Sequence, residues 1–157
     1  MTLMDCLSPT EGQRALITPR ILRGARRLMS AMGHASVCEL VLPNGRRADI
    51  AAISDSGRII IIEIKSSASD FRSDDKWPDY RNYCDQLYFA LGPDGPVELI
   101  PQNTGLIVAD CYAGELVRSA PINDVAPARR RAVLLAFARH AAERLHLLQD
   151  PGRDRGC

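Results

Sequence analysis

The sequence predicts an α/β fold in which a mixed central β-sheet is flanked by α-helices. Three observations lead there: helical patterns at both ends of the chain, three β-rich runs in succession between residues 36 and 65, and two strong turn signals between those runs. The 157 residues suit one compact domain, expected over residues 1–157 with an ordered core at about 14–149 and short tails at both ends. Hydrophobic residues make up 46% and charged residues 25%, which supplies a core and excludes disordered and collagen-like classes.

Thr18-Pro19 reads as a helix start, with Thr as N-cap and Pro at the first helical position. Ile21, Leu22, Ala25, Leu28, Met29 and Met32 recur at helical spacing until Gly33. Strand-like runs follow at Ser36–Leu42, Arg46–Ser54 and Arg58–Lys65, separated by Pro43-Asn44-Gly45 and Asp55-Ser56-Gly57. Ser66–Trp77 is a polar stretch, and Pro78 opens a short helix to about Gln86. Leu87–Leu91 reads as a further strand, and Gly105–Asp110 with Glu115–Arg118 as a second hairpin. Pro127 to about Gln149 closes the chain as a long helix, stopped by Asp150-Pro151-Gly152.

Several function classes drop out on composition. No apolar run approaches the roughly 18–20 residues of a membrane span. Met1–Gln13 has no apolar segment of a secretory signal, so a cytoplasmic location is expected. The five cysteines are scattered, with no Cys-x-x-Cys pair and no His at ligand spacing, which speaks against zinc and a disulfide framework. Neither a Gly-rich phosphate loop nor a nucleophile elbow occurs. Net charge is only +1, yet 18 of the 20 basic residues are Arg, with clusters at Arg20–Arg27 and Arg129–Arg131. Arg forks suit phosphate, although an Arg-rich surface also follows from base composition alone.

The informative segment is Asp49 followed by Glu63-Ile64-Lys65. Alternate residues of a strand share a face, so Ile61, Glu63 and Lys65 point one way and Ile60, Ile62 and Ile64 the other, toward a helix. A three-residue hairpin loop ending in Gly pairs Ser54 with Arg58, and by counting back Asp49 with Glu63 and Arg47 with Lys65. The same template at Pro43-Asn44-Gly45 pairs Leu42 with Arg46, and Glu39 with Asp49. Three carboxylates then line up across three adjacent strands. Opposed like charges cost a few tenths to about 1 kcal/mol per pair. A hard divalent cation removes that conflict, since it takes one or two carboxylates plus phosphate oxygens. An acid cluster beside a lysine is the equipment of phosphodiester hydrolysis. The plainer alternative loops the second hairpin through Ser56-Gly57-Arg58 and sets Asp49 against Lys65 as an ordinary surface pair. Paired acids also serve glycosidases, but the neighbouring lysine and only 5% aromatic residues argue against a sugar cleft.

The layout of helix, Glu39, Asp49, hairpin and Glu63-Ile64-Lys65 resembles the PD-(D/E)XK nuclease superfamily. Leu42-Pro43-Asn44-Gly45-Arg46-Arg47-Ala48-Asp49-Ile50 and Glu63-Ile64-Lys65-Ser66-Ser67 are similar to motifs of the MmcB-type bacterial DNA-repair proteins. So are Asp70-Phe71-Arg72, Lys76-Trp77, Tyr80 and Cys84-Asp85, and the resemblance spans roughly Thr18 to Leu148. It implies a restriction-endonuclease-like core and a metal-dependent deoxyribonuclease in DNA repair, acting on damaged or branched DNA. Asp49, Glu63 and Lys65 would be catalytic, with Mg²⁺ or Mn²⁺ held by Asp49, Glu63, the Ile64 carbonyl and the upstream acid Glu39. Ala48 stands where the superfamily's name has Pro, and no Gln-x-x-x-Tyr motif follows the lysine. The alternative from another class is a catalytically silent DNA-binding or adaptor module on the same fold.

Nucleic-acid contacts are expected from Lys76, Arg72, Trp77, Arg47 and Arg23. Lys76 and Arg72 lie on the loop after the acidic strand, where Trp77 could stack on an unpaired base. Against this, Phe71 and Trp77 could simply pin that loop to the core. Arg23 belongs to an Arg20-Arg23-Arg27 helix face that either approaches phosphate beside the site or is solvated. DNA is the expected partner, with no membrane. A homodimer and other repair proteins are further expected partners, with no residue to carry either.

Overall fold

The computed structural model describes residues 11–152. Its order is α1 (Glu11–Ala31), β1 (Ala35–Val41), β2 (Arg47–Ile53), β3 (Ile59–Lys65), α2 (Ala68–Arg72), a 3₁₀ helix (Trp77–Tyr83), β4 (Gln86–Leu91), a 3₁₀ turn (Val97–Leu99), β5 (Gly105–Ala109), β6 (Gly114–Arg118) and α3 (Pro127–Gln149). The six strands form one mixed sheet in chain order. β1–β2, β2–β3 and β5–β6 are antiparallel, while β3–β4 and β4–β5 are parallel. This is the expected mixed sheet flanked by helices, and it is consistent with a restriction-endonuclease-like core.

Both early hairpins form as the turn signals require. Leu42 N–H donates to Arg46 O at 2.7 Å and Ser54 N–H to Arg58 O at 3.0 Å. Gly45 (φ +82°) and Gly57 (φ +80°) occupy the left-handed position that closes each loop. The resulting register pairs Val41 with Arg47 and Ile53 with Ile59, so the alternative loop through Arg58 does not form.

β3 is third of six strands and every one of its residues is buried. Ile60, Ile62 and Ile64 meet Ile21, Ala25 and Met29 of α1. Ile59 and Ile61 face the other way, onto Leu40, Tyr80, Leu87 and Val133 of α3. Each such isoleucine contributes roughly 1.5–3 kcal/mol by its removal from water. Gly24 lets α1 close on the β5–β6 turn, because a Cβ there would lie 2.1 Å from Asp110 O.

Four expectations are corrected. α1 begins at Glu11, with Pro19 inside it, rather than at Thr18. Ile17, upstream of the proline, packs on the core, so tertiary contact carries the helix past a residue that reads locally as a start. The expected helix from Pro78 to Gln86 is a 3₁₀ helix ending at Tyr83, and Gln86 already pairs with Ile60 in β4. The polar stretch holds a helix, α2, capped by Ser67 Oγ accepting from Asp70 N–H at 3.1 Å. Met32, placed on the apolar stripe by its spacing, is exposed because α1 ends at Ala31.

Candidate active site

The hydrogen-bonded pairing of β2 with β3 runs from Ile53–Ile59 to Ile50–Ile62. The next pair in that register is Asp49 with Glu63, and there side chains replace the backbone ladder. Asp49 N–H donates to Glu63 Oε1 at 3.2 Å, and Ile64 N–H donates to Asp49 Oδ2 at 2.8 Å. The two strands are thus stitched crosswise by two carboxylates at the C-terminal end of β3. Glu63 is 5% exposed and Lys65 6%, depths at which an unpaired charge is costly.

Burial raises the pKa of both acids. For Glu63 it is joined by the charge of Asp49, and together they outweigh the Asp49 N–H and Lys65, lifting the carboxyl to about 8. For Asp49, burial raises the carboxyl against the opposing pull of the Ile64 N–H, and Glu39 adds to the rise. Two neighbouring carboxyls with raised pKa make this end of β3 a candidate functional site.

Lys65 does not neutralise them by direct contact. Its Nζ donates to Asp74 Oδ2 at 2.6 Å, and the pair is largely buried. Asp74 Oδ1 also accepts from Lys76 N–H at 3.0 Å. Burial pushes the Asp74 pKa up, but the Lys65 ammonium and the Lys76 N–H hold it below its ordinary value. Asp70 Oδ2 accepts from Ser66 N–H at 3.1 Å and tightens the chain just after the lysine. Neither acid was expected from the sequence. The signals are several Asp residues soon after Lys65 and the Asp70-Phe71-Arg72 motif, and their reach depends on α2, which the polar composition conceals.

Glu39 falls opposite Asp49 by register, between the pairs Cys38–Ile50 and Leu40–Ala48, but the ladder is interrupted there. Its φ of +58° is left-handed, a conformation costing a non-glycine residue about 1–3 kcal/mol. Its Oε2 pairs with Arg47 Nε at 2.6 Å rather than joining the other acids. Arg47 is exposed, and Tyr80 Oη donates to its carbonyl at 3.0 Å from beneath.

Arg72 and Lys76 are exposed on the segment that carries Asp74. Phe71 and Trp77 both set ring edges against Phe89, with centroids 5.5 and 5.7 Å apart, and the Arg81 guanidinium lies 5.3 Å over the Trp77 ring. The loop is therefore pinned to the core by its aromatics. Arg23 is not beside the acids. It sits on α1, which covers the sheet face opposite Glu63 and Lys65, a location that helical spacing alone cannot assign.

The donor set suits a hard cation: two converging carboxylates, both raised in pKa chiefly by burial, beside the Ile64 backbone. The expected third acid is occupied by Arg47, and among the described residues no three His, Cys, Asp or Glu side chains are grouped to hold a metal. No helix among the described residues is long and apolar enough to cross a membrane.

A family model described as MmcB-like, DNA repair protein MmcB-like, matches residues 7–152. The chain is also similar to a protein of unknown function from Silicibacter pomeroyi, with 43% identity, a TM-score of 0.82, and coverage of 85% of this chain and 92% of that one. No match was found among curated proteins.

Proposed function

The chain belongs to the MmcB-like DNA repair protein family, and on that premise we propose that Asp49, Glu63 and Lys65 hydrolyse phosphodiester bonds in damaged or branched DNA. The observation that carries this reading is the crosswise pair of carboxylates with raised pKa, Asp49 half-buried and Glu63 buried, two positions before a buried lysine held by its own aspartate. Asp49, Glu63 and the Ile64 carbonyl would hold Mg²⁺ or Mn²⁺. A cation bound there supplies Lewis acidity and a water of lowered pKa.

The chain's own residues do the positioning. Ile64 N–H and Asp49 N–H fix one oxygen of each carboxylate, which leaves the second oxygen of each for a ligand. Asp74 holds the Lys65 ammonium at 2.6 Å, ready to donate to a phosphate oxygen as negative charge builds in the transition state. Arg72 and Lys76 grip the backbone from the adjoining segment, in contacts that position the strand without reading its bases. Glu39 and Arg47 flank the site as a pair.

The competing reading, a catalytically silent DNA-binding module, draws on one observation: Arg47 engages the third acid and no three-acid group forms among the described residues. Cleavage of labelled single-stranded, duplex, flap and four-way-junction DNA separates the two, with Mg²⁺, Mn²⁺ and EDTA arms. Metal-dependent cutting that Asp49→Ala and Lys65→Ala abolish, while DNA binding persists, is the expected result. Binding without cutting under either metal assigns the silent module.

A further inference from the structure

Arg23 occupies a groove of its own, between the last turns of α1 and the start of β1. The groove is open, holds about 440 Å³, and takes its polar lining from Arg23, Arg26, Arg27, Ser30, His34 and Ser36. No carboxylate lines it, and none of the three guanidiniums makes a salt bridge among the described residues. Arg26 is braced by Ser36, with Nε to Oγ and Nη2 to the carbonyl both at 3.0 Å, and Arg27 Nη1 donates to Tyr112 O at 2.8 Å. A guanidinium has five N–H donors, so each braced arginine keeps some free for a ligand. His34, on the same lining, has its Nδ1 buried without a hydrogen-bond partner, a state that protein interiors rarely leave uncorrected. Compensation of the helix dipole does not explain the cluster, because that effect is confined to the last turn and the last turn of α1 holds no basic residue.

We infer that this groove is a second anion site that binds a phosphate group, carried by a nucleic-acid backbone or by a free phosphate. Forked guanidiniums, a hydroxyl and an imidazole N–H are the donors that phosphate oxygens accept from. The groove lies on the face of the sheet opposite the carboxylates. Ser36 also precedes Glu39 by three residues, about 10 Å along β1. A strand held there is positioned rather than cut. The backbone source rests on the DNA reading above; the anion site itself does not.

The test uses metal-free full-length protein in EDTA, with Arg23→Glu as the variant and Arg131→Glu, an equal charge change on exposed α3, as control. Anisotropy of a labelled single strand should show Arg23→Glu weakening binding at least fivefold in low salt. It should also lower the slope of log affinity against log salt by about one. Arg131→Glu should stay within twofold. Equal weakening in both variants, or none in Arg23→Glu, overturns the groove as the backbone's site. Inorganic phosphate, followed through the His34 ring resonances, reads the groove without DNA. Shifts in the wild type that Arg23→Glu abolishes support the anion site even where the oligonucleotide fails to bind, an outcome that removes the backbone source and the DNA reading alone. Resonances unmoved by both phosphate and oligonucleotide overturn the site itself.

Discussion

The two ends of β3 handle buried carboxylates in opposite ways. At its N-terminal end Asp85, 6% exposed, meets Arg130 through two bonds of 2.6 and 2.7 Å and accepts from Ile59 N–H at 2.7 Å. Burial would raise that carboxyl, but the guanidinium and the amide outweigh it and hold the pKa below its ordinary value. At the C-terminal end acid faces acid, the nearest cation is engaged by Asp74, and the Glu63 pKa climbs to about 8. The same strand shows how a buried acid is settled when structure is the only demand. Its other end is left unsettled, and that contrast is what points to chemistry.

Breaking the settled end should have the largest effect on stability. Arg130→Met leaves Asp85 buried and unpaired and frees the start of α3. A loss of about 2–4 kcal/mol is expected, somewhat below that of a fully buried pair because Arg130 is partly exposed. Urea unfolding measures it, and a loss below about 1 kcal/mol would make the two ends alike. The pH dependence has a fixed sign: a lowered Asp85 pKa gives stability that is present above its unfolded value and lost as acid titrates the folded carboxyl.

Relieving the unsettled end should do the reverse. With a folded pKa near 8 against 4.5 unfolded, Glu63 makes the metal-free protein less stable as pH rises from about 4.5 to about 8. Glu63→Gln should therefore raise the melting temperature at pH 8 by roughly 5 °C and flatten its pH dependence. Calorimetry across that range checks it, and a variant melting lower than wild type at pH 8 would remove the conflict from the acid pair.

Much of this contrast is legible in the sequence. Pro43-Asn44-Gly45 and Asp55-Ser56-Gly57 set both hairpin registers, and counting back from them places Asp49 against Glu63 and Glu39 against Asp49. Counting fails for what depends on packing. Pro19 lies within a helix because Ile17 before it reaches the core. Arg23 goes to the far face because a helical stripe does not name the side of the sheet it will cover. Asp74 reaches Lys65 only because the Ser67-capped turn of α2 folds the polar stretch back. Glu39 meets Arg47 rather than its fellow acids because its own backbone turns left-handed, which no residue type there announces.

Smaller effects sharpen the comparison. Asp74→Asn removes the anion that positions Lys65 and should lower DNA cleavage about tenfold, near 1.4 kcal/mol in the barrier. It should also cost about 1–2 kcal/mol of stability, because the buried Lys65 ammonium loses its anion while the Asn oxygen can still accept from it. Single-turnover assays and urea unfolding on one preparation check both, and unchanged cleavage would make Asp74 a purely structural partner. Glu39→Gly relieves the left-handed backbone and should add about 0.5–1 kcal/mol of stability, since the exposed pair with Arg47 contributes little. A loss of stability would show that the Glu39–Arg47 pair outweighs the strain.

The most direct measurement is Mn²⁺ binding by electron paramagnetic resonance at pH 7.5, on the wild type and on Asp49→Asn with Glu63→Gln. One bound ion in the wild type and none in the double variant is the expected result, because the neutral amides end the conflict that the cation resolves. Equal binding by both proteins, or none by either, would contradict the assignment of the unsettled end of β3 as a metal-dependent centre.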